Sequence, residues 1–165
     1  MNRERIEETV RLWQAQPDKA KGKPTVIARA EGSEAVMEHG SFSWRTDLPV
    51  PLGGANEAPS PTALLLSALA GCAVVFIRDT LAPQLGVTVD AIEATAECET
   101  DARGLLGMEN AAPDLTNISL KIALQSSDPE DALRRVYQAW QERCPVYLAL
   151  TKALPVATAL EIKRA

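Results

Sequence analysis

The stretch from Ala63 to Ile77 constrains this chain more than any other. It is almost wholly apolar: Ser67 is its only hydroxyl and Cys72 its only thiol. Its apolar residues follow no 3.6-residue stripe and would cover a helix on every side. Such a helix is either buried all round or lies in a membrane. The run falls short of the roughly 20 residues that span a bilayer. The expectation is therefore a central helix enclosed by sheet and by a partner chain, with a sulfur in its middle.

The flanks fix where this helix begins. Pro49, Pro51 and Gly53-Gly54 break regular structure before it. Ser60 suits an N-cap, and Pro61 suits the first helical position, where a missing N–H costs nothing. Pro83 or Gly86 should stop the helix, at about Leu81 or Leu85.

A chain of 165 residues suggests one domain with a core large enough to be stable. The net charge is −5, with acidic residues dispersed along the chain. That disfavours nucleic acid, which calls for a basic face, and disfavours an anionic membrane surface. The segment from Met1 to Gln14 is charged and lacks an apolar signal core, so a cytoplasmic location is expected. The three cysteines, Cys72, Cys98 and Cys144, lie far apart, and His39 is the only histidine. No zinc spacing arises, and no metal or cofactor is expected.

Around the central helix the pattern alternates in blocks. Residues 3–16 read as a helix with a narrow stripe of Ile6, Val10 and Trp13, followed by a linker over Asp18–Pro24. Thr25–Ala30 and Ala35–His39 read as a hairpin turning at Glu31-Gly32-Ser33, with Ser41–Thr46 as a third strand. Val87–Thr100 reads as a long strand with Ile92, Ala94, Ala96 and Cys98 inward; the parity of Val87 and Val89 predicts a bulge near Asp90. A glycine-containing loop, Asp101–Pro113, leads to a returning strand over Leu115–Leu124. Asp128-Pro129-Glu130-Asp131 opens a helix, with Asp128 as its cap, a proline at N1 and acidic residues in the first turn; its buried stripe is Leu133, Val136, Tyr137 and Trp140. It breaks at Cys144-Pro145, before a short helix over Val146–Lys152 and a closing strand over Val156–Ile162. Blocks of strands and helices without βαβ alternation give the class α+β.

The chemistry centres on sulfur. With Pro145 as the first helical residue, Cys144 sits at a helix N-terminus. Free N–H groups and the helix dipole there lower a thiol pKa from ~8.5 into ~3.5–7.5. The alternative is a small capping residue. Cys72 lies mid-helix in an apolar run, which favours an inert thiol unless a cation or a polar cleft reaches it; Arg45, Arg29 and Arg103 are the arginines on offer. Gly71 beside it leaves room for another backbone or a substrate. Cys98 reads as core and His39 as a surface turn residue. Trp44, Trp140 and Tyr147 read as packing residues, and Asp101 with Arg103 as a pair that stabilises a loop.

A set of motifs then runs in order through the chain. They are Gly53-Gly54, Ala58-Pro59-Ser60-Pro61-Thr62, Leu64-Leu65-Leu66, Ala68-Leu69-Ala70-Gly71-Cys72, Leu85-Gly86-Val87, Asp101-Ala102-Arg103-Gly104-Leu105-Leu106-Gly107 and Cys144-Pro145-Val146. Together they resemble the OsmC/Ohr family, the osmotically inducible and organic hydroperoxide resistance proteins, over roughly Gly53–Ile162. The resemblance implies an intertwined homodimer, with curved antiparallel sheets enclosing long central helices and sites at the subunit interface. On that basis residues 1–24 form an N-terminal helix and linker, and 25–165 an OsmC-like domain.

The resemblance also implies a thiol-dependent peroxidase. The cysteine matching Cys72 attacks an apolar organic hydroperoxide and becomes a sulfenic acid. The cysteine matching Cys144 closes a disulfide with it, and an external dithiol, such as a lipoyl protein, reduces the disulfide. This chemistry needs the two Cα atoms within ~4.4–6.8 Å. Well-characterised members of the family hold the catalytic arginine with a glutamate at the start of the central helix. Here that turn reads Pro61-Thr62-Ala63, which leaves Glu57, in the preceding loop, as the candidate replacement carboxylate; for the arginine the chain offers Arg29 and Arg45 without a clear match, and Arg45 is taken as the candidate. The missing helix-start carboxylate also motivates an alternative: a non-catalytic dimer that binds an apolar small molecule in the interfacial cleft.

Overall fold

The computed structural model describes residues 2–164; the outermost residues of the two assigned segments, Met1 and Ala165, lie outside them. The chain forms helix α1 (Asn2–Ala15), a three-stranded antiparallel sheet, a long central helix, a two-stranded sheet and a C-terminal pair of helices. This mixed arrangement is the expected α+β class.

The central helix, α2, runs from Pro61 to Leu85 and is 25 residues long. Ser60 caps it, its hydroxyl accepting the Ala63 N–H at 3.2 Å. The helix passes Pro83 because the turn before it is widened: Ile77–Leu81 is π-helical. A proline lacks an N–H, and its ring crowds the carbonyl four residues back; a wider turn relieves both faults. Gly86, at φ 69°, ends the helix in the left-handed conformation. By length and composition alone this helix is apolar enough to cross a membrane. The expectation of a run too short to do so therefore does not hold for the whole helix. It nevertheless carries Arg78 and Asp79 and packs as a core helix. Leu69, Ala73, Ile77 and Leu81 form a buried line at i, i+4 spacing.

Strands β4 (Ala91–Glu99) and β5 (Thr116–Gln125) pair antiparallel beside α2. Ile92, Ala94, Ala96, Leu120, Ile122 and Leu124 pack against the core from this sheet. The bulge lies elsewhere than expected. Residues 87–90 precede the strand, and the register slips between Glu97 and Glu99. There β5 holds one extra residue around Asn117, which sits at φ 50°. Between these strands Asp101 caps a single helical turn, α3 (Ala102–Leu105).

Helix α4 (Glu130–Arg143) closes the core with Ala132, Val136, Ala139 and Trp140. Its stripe is rotated from the expected one: Tyr137 is exposed, and two alanines take the close contacts. Asp128 does not cap this helix. Its carboxylate accepts the Thr88 N–H at 2.6 Å and ties the 87–90 bend to the helix start. Helix α5 (Pro145–Thr151) follows at once.

The first sheet is β1 (Ile27–Glu31), β2 (Glu34–His39) and β3 (Phe42–Thr46), in that order. Its register puts Ile27, Arg29, Glu31, Glu34, Val36, Glu38 and Arg45 on one face, and Ala28, Ala30, Ala35, Met37, Phe42 and Trp44 on the other. Met37 is its only buried residue, and Phe42 is 71% exposed. Helix α1 lies across the end of α2, with Ile6 and Thr9 half-buried. The expected closing strand over 156–162 does not form: the segment has no ladder partner, and Val156 and Leu160 are 84% and 85% exposed. A lone extended segment gains nothing from the ladder bonds that define a strand, so its hydrophobic pattern is left without an outlet.

Candidate active site

Two elements bring the cysteines together. Cys72 lies on α2 between the buried Leu69 and Ala73 and keeps partial exposure. Cys144 is the hinge residue between α4 and α5. Its N–H bonds the Trp140 carbonyl at 2.8 Å as the last turn of α4, and its carbonyl accepts the Leu148 N–H at 2.9 Å as the first of α5. Pro145 makes this junction sharp, since proline ends one helix and pre-sets the φ of the next.

The sulfurs of Cys72 and Cys144 stand 3.0 Å apart, although 72 residues separate them along the chain. Cys144 is fully buried. Its Sγ caps α5, accepting the Tyr147 N–H at 3.5 Å. The Val146 N–H points toward the Cys72 sulfur and favours its ionised form. Both sulfurs therefore meet the first turn of one helix, where unpaired N–H groups stabilise negative charge.

Burial acts the other way on Cys72. Desolvation, and next the neighbouring Cys144, push its thiol up from 9.0 to about 11. No guanidinium is among the groups acting on it. Within one chain the expected arginine is engaged elsewhere: Arg45 bonds Glu31 at 2.7 Å and also Glu34. Arg29 pairs with Glu38, and Arg103 with Asp101. Glu57 contributes its backbone and makes no ion pair among the described residues; its N–H donates to Asp47 at 3.1 Å.

Two residues do more than the sequence reading gave them: Trp140, expected only to pack, and Asp47, which that reading did not single out. Trp140 is 1% exposed and lies between Tyr147, 4.8 Å away, and Tyr137, 5.9 Å away. It locks the α4–α5 corner that presents Cys144. Asp47 is 3% exposed, and its carboxylate accepts the N–H groups of Leu48, Ala55 and Glu57. Those bonds, Glu57's first, hold its pKa below the usual carboxylate value. An aspartate just before a proline-glycine loop is the signal that marks such a loop organiser. Cys98 is half-buried on β4, His39 is exposed with its ring on the Thr25 carbonyl, and Asp101 and Arg103 form the expected loop pair.

Residues 54–159 match the model of the OsmC-like protein family. The chain belongs to the OsmC family. No curated protein matches it. Solved structures share its fold. An OsmC-like protein from Mycoplasma pneumoniae is 21% identical, with TM-score 0.67 over 81% of this chain and 90% of that one. An organic hydroperoxide resistance protein from Legionella pneumophila is 22% identical, with TM-score 0.57 over 79% and 91%. The organic hydroperoxide resistance protein OhrB of Bacillus subtilis is 15% identical, with TM-score 0.52 over 80% and 93%. The fold of this OsmC-family chain thus places a buried thiol and a half-buried one in contact at the start of α5.

Proposed function

We propose that this OsmC-family protein is a thiol-dependent peroxidase for organic hydroperoxides. The contact between Cys72 and Cys144 carries the reading: sulfurs 3.0 Å apart need only a small approach to bond. The Cys72 thiolate attacks one oxygen of the R–O–O–H bond. Sulfur gains that oxygen as a sulfenic acid, the O–O bond breaks, and the alkoxide takes up a proton and leaves as an alcohol. The Cys144 sulfur then displaces hydroxide from the sulfenic sulfur, forming the disulfide and releasing water. An external dithiol, free or lipoyl-bearing, returns two electrons and regenerates both thiols. The leucine, valine and alanine lining of α2 suits an alkyl substituent.

The protein works as a homodimer in the cytoplasm on this reading. Phe42 and Trp44 on one face of the β1–β3 sheet, Val75 on α2, and Val156 and Leu160 are exposed apolar side chains that a second copy would cover. The cation that ionises Cys72 comes across the dimer, with Arg45 as the assigned guanidinium and Glu57 as the carboxylate that orients it. The test treats reduced protein with cumene hydroperoxide and follows intact mass. A loss of two hydrogens mapped to Cys72–Cys144, and loss of peroxide consumption in Cys72→Ser, is the expected result. Consumption at the wild-type rate by Cys72→Ser, with no Cys72–Cys144 disulfide, overturns the reading and leaves a non-catalytic binding protein.

A further inference from the structure

Aromatic residues are scarce in this chain: three tryptophans, two tyrosines and two phenylalanines. Both tyrosines and one tryptophan nevertheless meet in a single stack at the α4–α5 corner. Tyr137 and Trp140 lie 24° from parallel with ring centroids 5.9 Å apart, and Trp140 and Tyr147 are tilted by 44° at 4.8 Å. Both spacings fall within the ~4.5–7 Å range of rings in direct contact. At one end of the stack the Tyr147 N–H reaches the Cys144 sulfur at 3.5 Å, and Cys72 packs with Tyr147 against one buried cluster. At the other end Tyr137 is 43% exposed. The rings thus lead from the surroundings of the thiol pair to water.

Packing accounts for the bulk of Trp140 but not for its polar edge. The side chain is buried, and its indole Nε1 finds no hydrogen-bond partner among the described residues. A buried donor left unpaired is costly, and such a group asks for a role, redox chemistry among them. A phenylalanine would carry no such donor. Indole and phenol rings give up single electrons far more readily than the aliphatic side chains around them. A one-electron-oxidised indole ordinarily settles by releasing its N–H proton. Here no acceptor receives that proton, so the cation stays strongly oxidising and draws an electron from a neighbouring ring. Tyr137 is the ring best placed to complete the transfer, because its exposure lets the phenolic proton pass to water; Tyr147 is half-buried.

We propose that Tyr147, Trp140 and Tyr137 form a one-electron relay that carries oxidising equivalents from the thiol site to the surface. The oxidant is an alkoxyl radical, formed when a ferrous ion gives one electron to an organic hydroperoxide and hydroxide leaves. An electron passes from Trp140 through Tyr147 to this radical, which takes a proton from water and departs as the alcohol. Tyr137 refills Trp140 and releases its phenolic proton to water. The net change is RO• + Tyr137–OH → ROH + Tyr137–O•. A soluble one-electron reductant such as ascorbate then returns an electron, and a proton from water restores the phenol. The thiols are bypassed and stay available for two-electron chemistry. That the radical arises in this site rests on the hydroperoxide reading; the electron transfer between the rings does not.

The test uses the full chain carrying Trp13→Phe and Trp44→Phe, both at exposed positions, which leaves Trp140 as its only tryptophan. With no peroxide present, a laser flash at a wavelength that indole alone absorbs ionises Trp140, and transient absorption follows the radicals. The tryptophan-radical band should decay as the tyrosyl band grows, at one first-order rate independent of protein concentration, and ascorbate should erase the tyrosyl signal. Tyr137→Phe, a conservative change at an exposed position, should lower the tyrosyl yield at least five-fold. A second measurement treats the wild type and Tyr137→Phe with cumene hydroperoxide and ferrous ion. Peptide mass should show at least three-fold more irreversible oxidation at Trp140 and Cys144 in the variant, while peroxide consumption without iron stays at the wild-type rate. Decay of the tryptophan radical without tyrosyl growth, a tyrosyl yield unchanged by Tyr137→Phe, or equal damage in the two proteins each overturns the relay. A wild type that consumes no hydroperoxide without iron overturns the peroxidase reading instead, since the flash experiment contains no peroxide.

Discussion

Closing the Cys72–Cys144 disulfide should stabilise the chain by an amount that its topology sets. The bond would tie residues 72 positions apart. In the chain-entropy description a loop of that length loses about 15 cal/mol/K in the unfolded state, or ~4.4 kcal/mol at 25 °C. Native strain subtracts from this figure, but the sulfurs already stand in contact at 3.0 Å, so the α2–α5 junction moves little. The measurement is urea unfolding of a Cys98→Ser background, reduced and peroxide-oxidised, at one protein concentration, with the disulfide confirmed by peptide mass. Urea slopes of about 1–3 kcal/mol/M turn the gain into a midpoint shift of roughly 1.5–4 M. Oxidation followed by an unchanged or lower midpoint would refute the argument, because it would mean that bond formation distorts the folded state as much as it restricts the unfolded one.

Other outcomes follow from the loop before α2. The Asp47 carboxylate is held below its ordinary value of 3.8 by backbone N–H groups. A depressed folded-state pKa stabilises the fold above the unfolded value and loses that contribution as pH falls through the folded one. Wild-type thermal stability should therefore drop below about pH 4, while Asp47→Asn should be less stable at pH 7 and show a shallower acid limb in melts from pH 7 to 3. Gly54→Ala should destabilise by about 1–3 kcal/mol through overpacking against the Leu48 carbonyl, read as a lower denaturant midpoint. Equal stability in that variant would show that the loop yields easily and is not preformed.

Much of the architecture was legible because it rests on local rules. The Ser60-Pro61 cap, the inward Ile92-Ala94-Ala96 series and the Cys144-Pro145 corner each depend on residues within one turn or one pleat. The misreadings share a cause: each turned on a competing long-range partner. Asp128 has capping chemistry, but Thr88 takes its carboxylate. Val156–Ile162 has strand chemistry, but no ladder partner within the chain. The same distinction holds for single residues. Cys72 and Cys144 stand out by residue type and by motif, whereas Asp47 acts through backbone groups up to ten residues away, and only its place before the Pro49–Gly54 loop marks it in the sequence.

The apolar run of α2 by itself determined that a long helix must be covered, and that Cys72 would sit in a poorly solvated place where a thiol resists ionisation. Composition and spacing set those outcomes because burial and helical periodicity follow directly from residue type. Only the tertiary structure decided that Cys72 faces Cys144. Meeting across 72 residues depends on how α4, Trp140 and the Pro145 corner pack against α2, and that packing is a property of the whole chain.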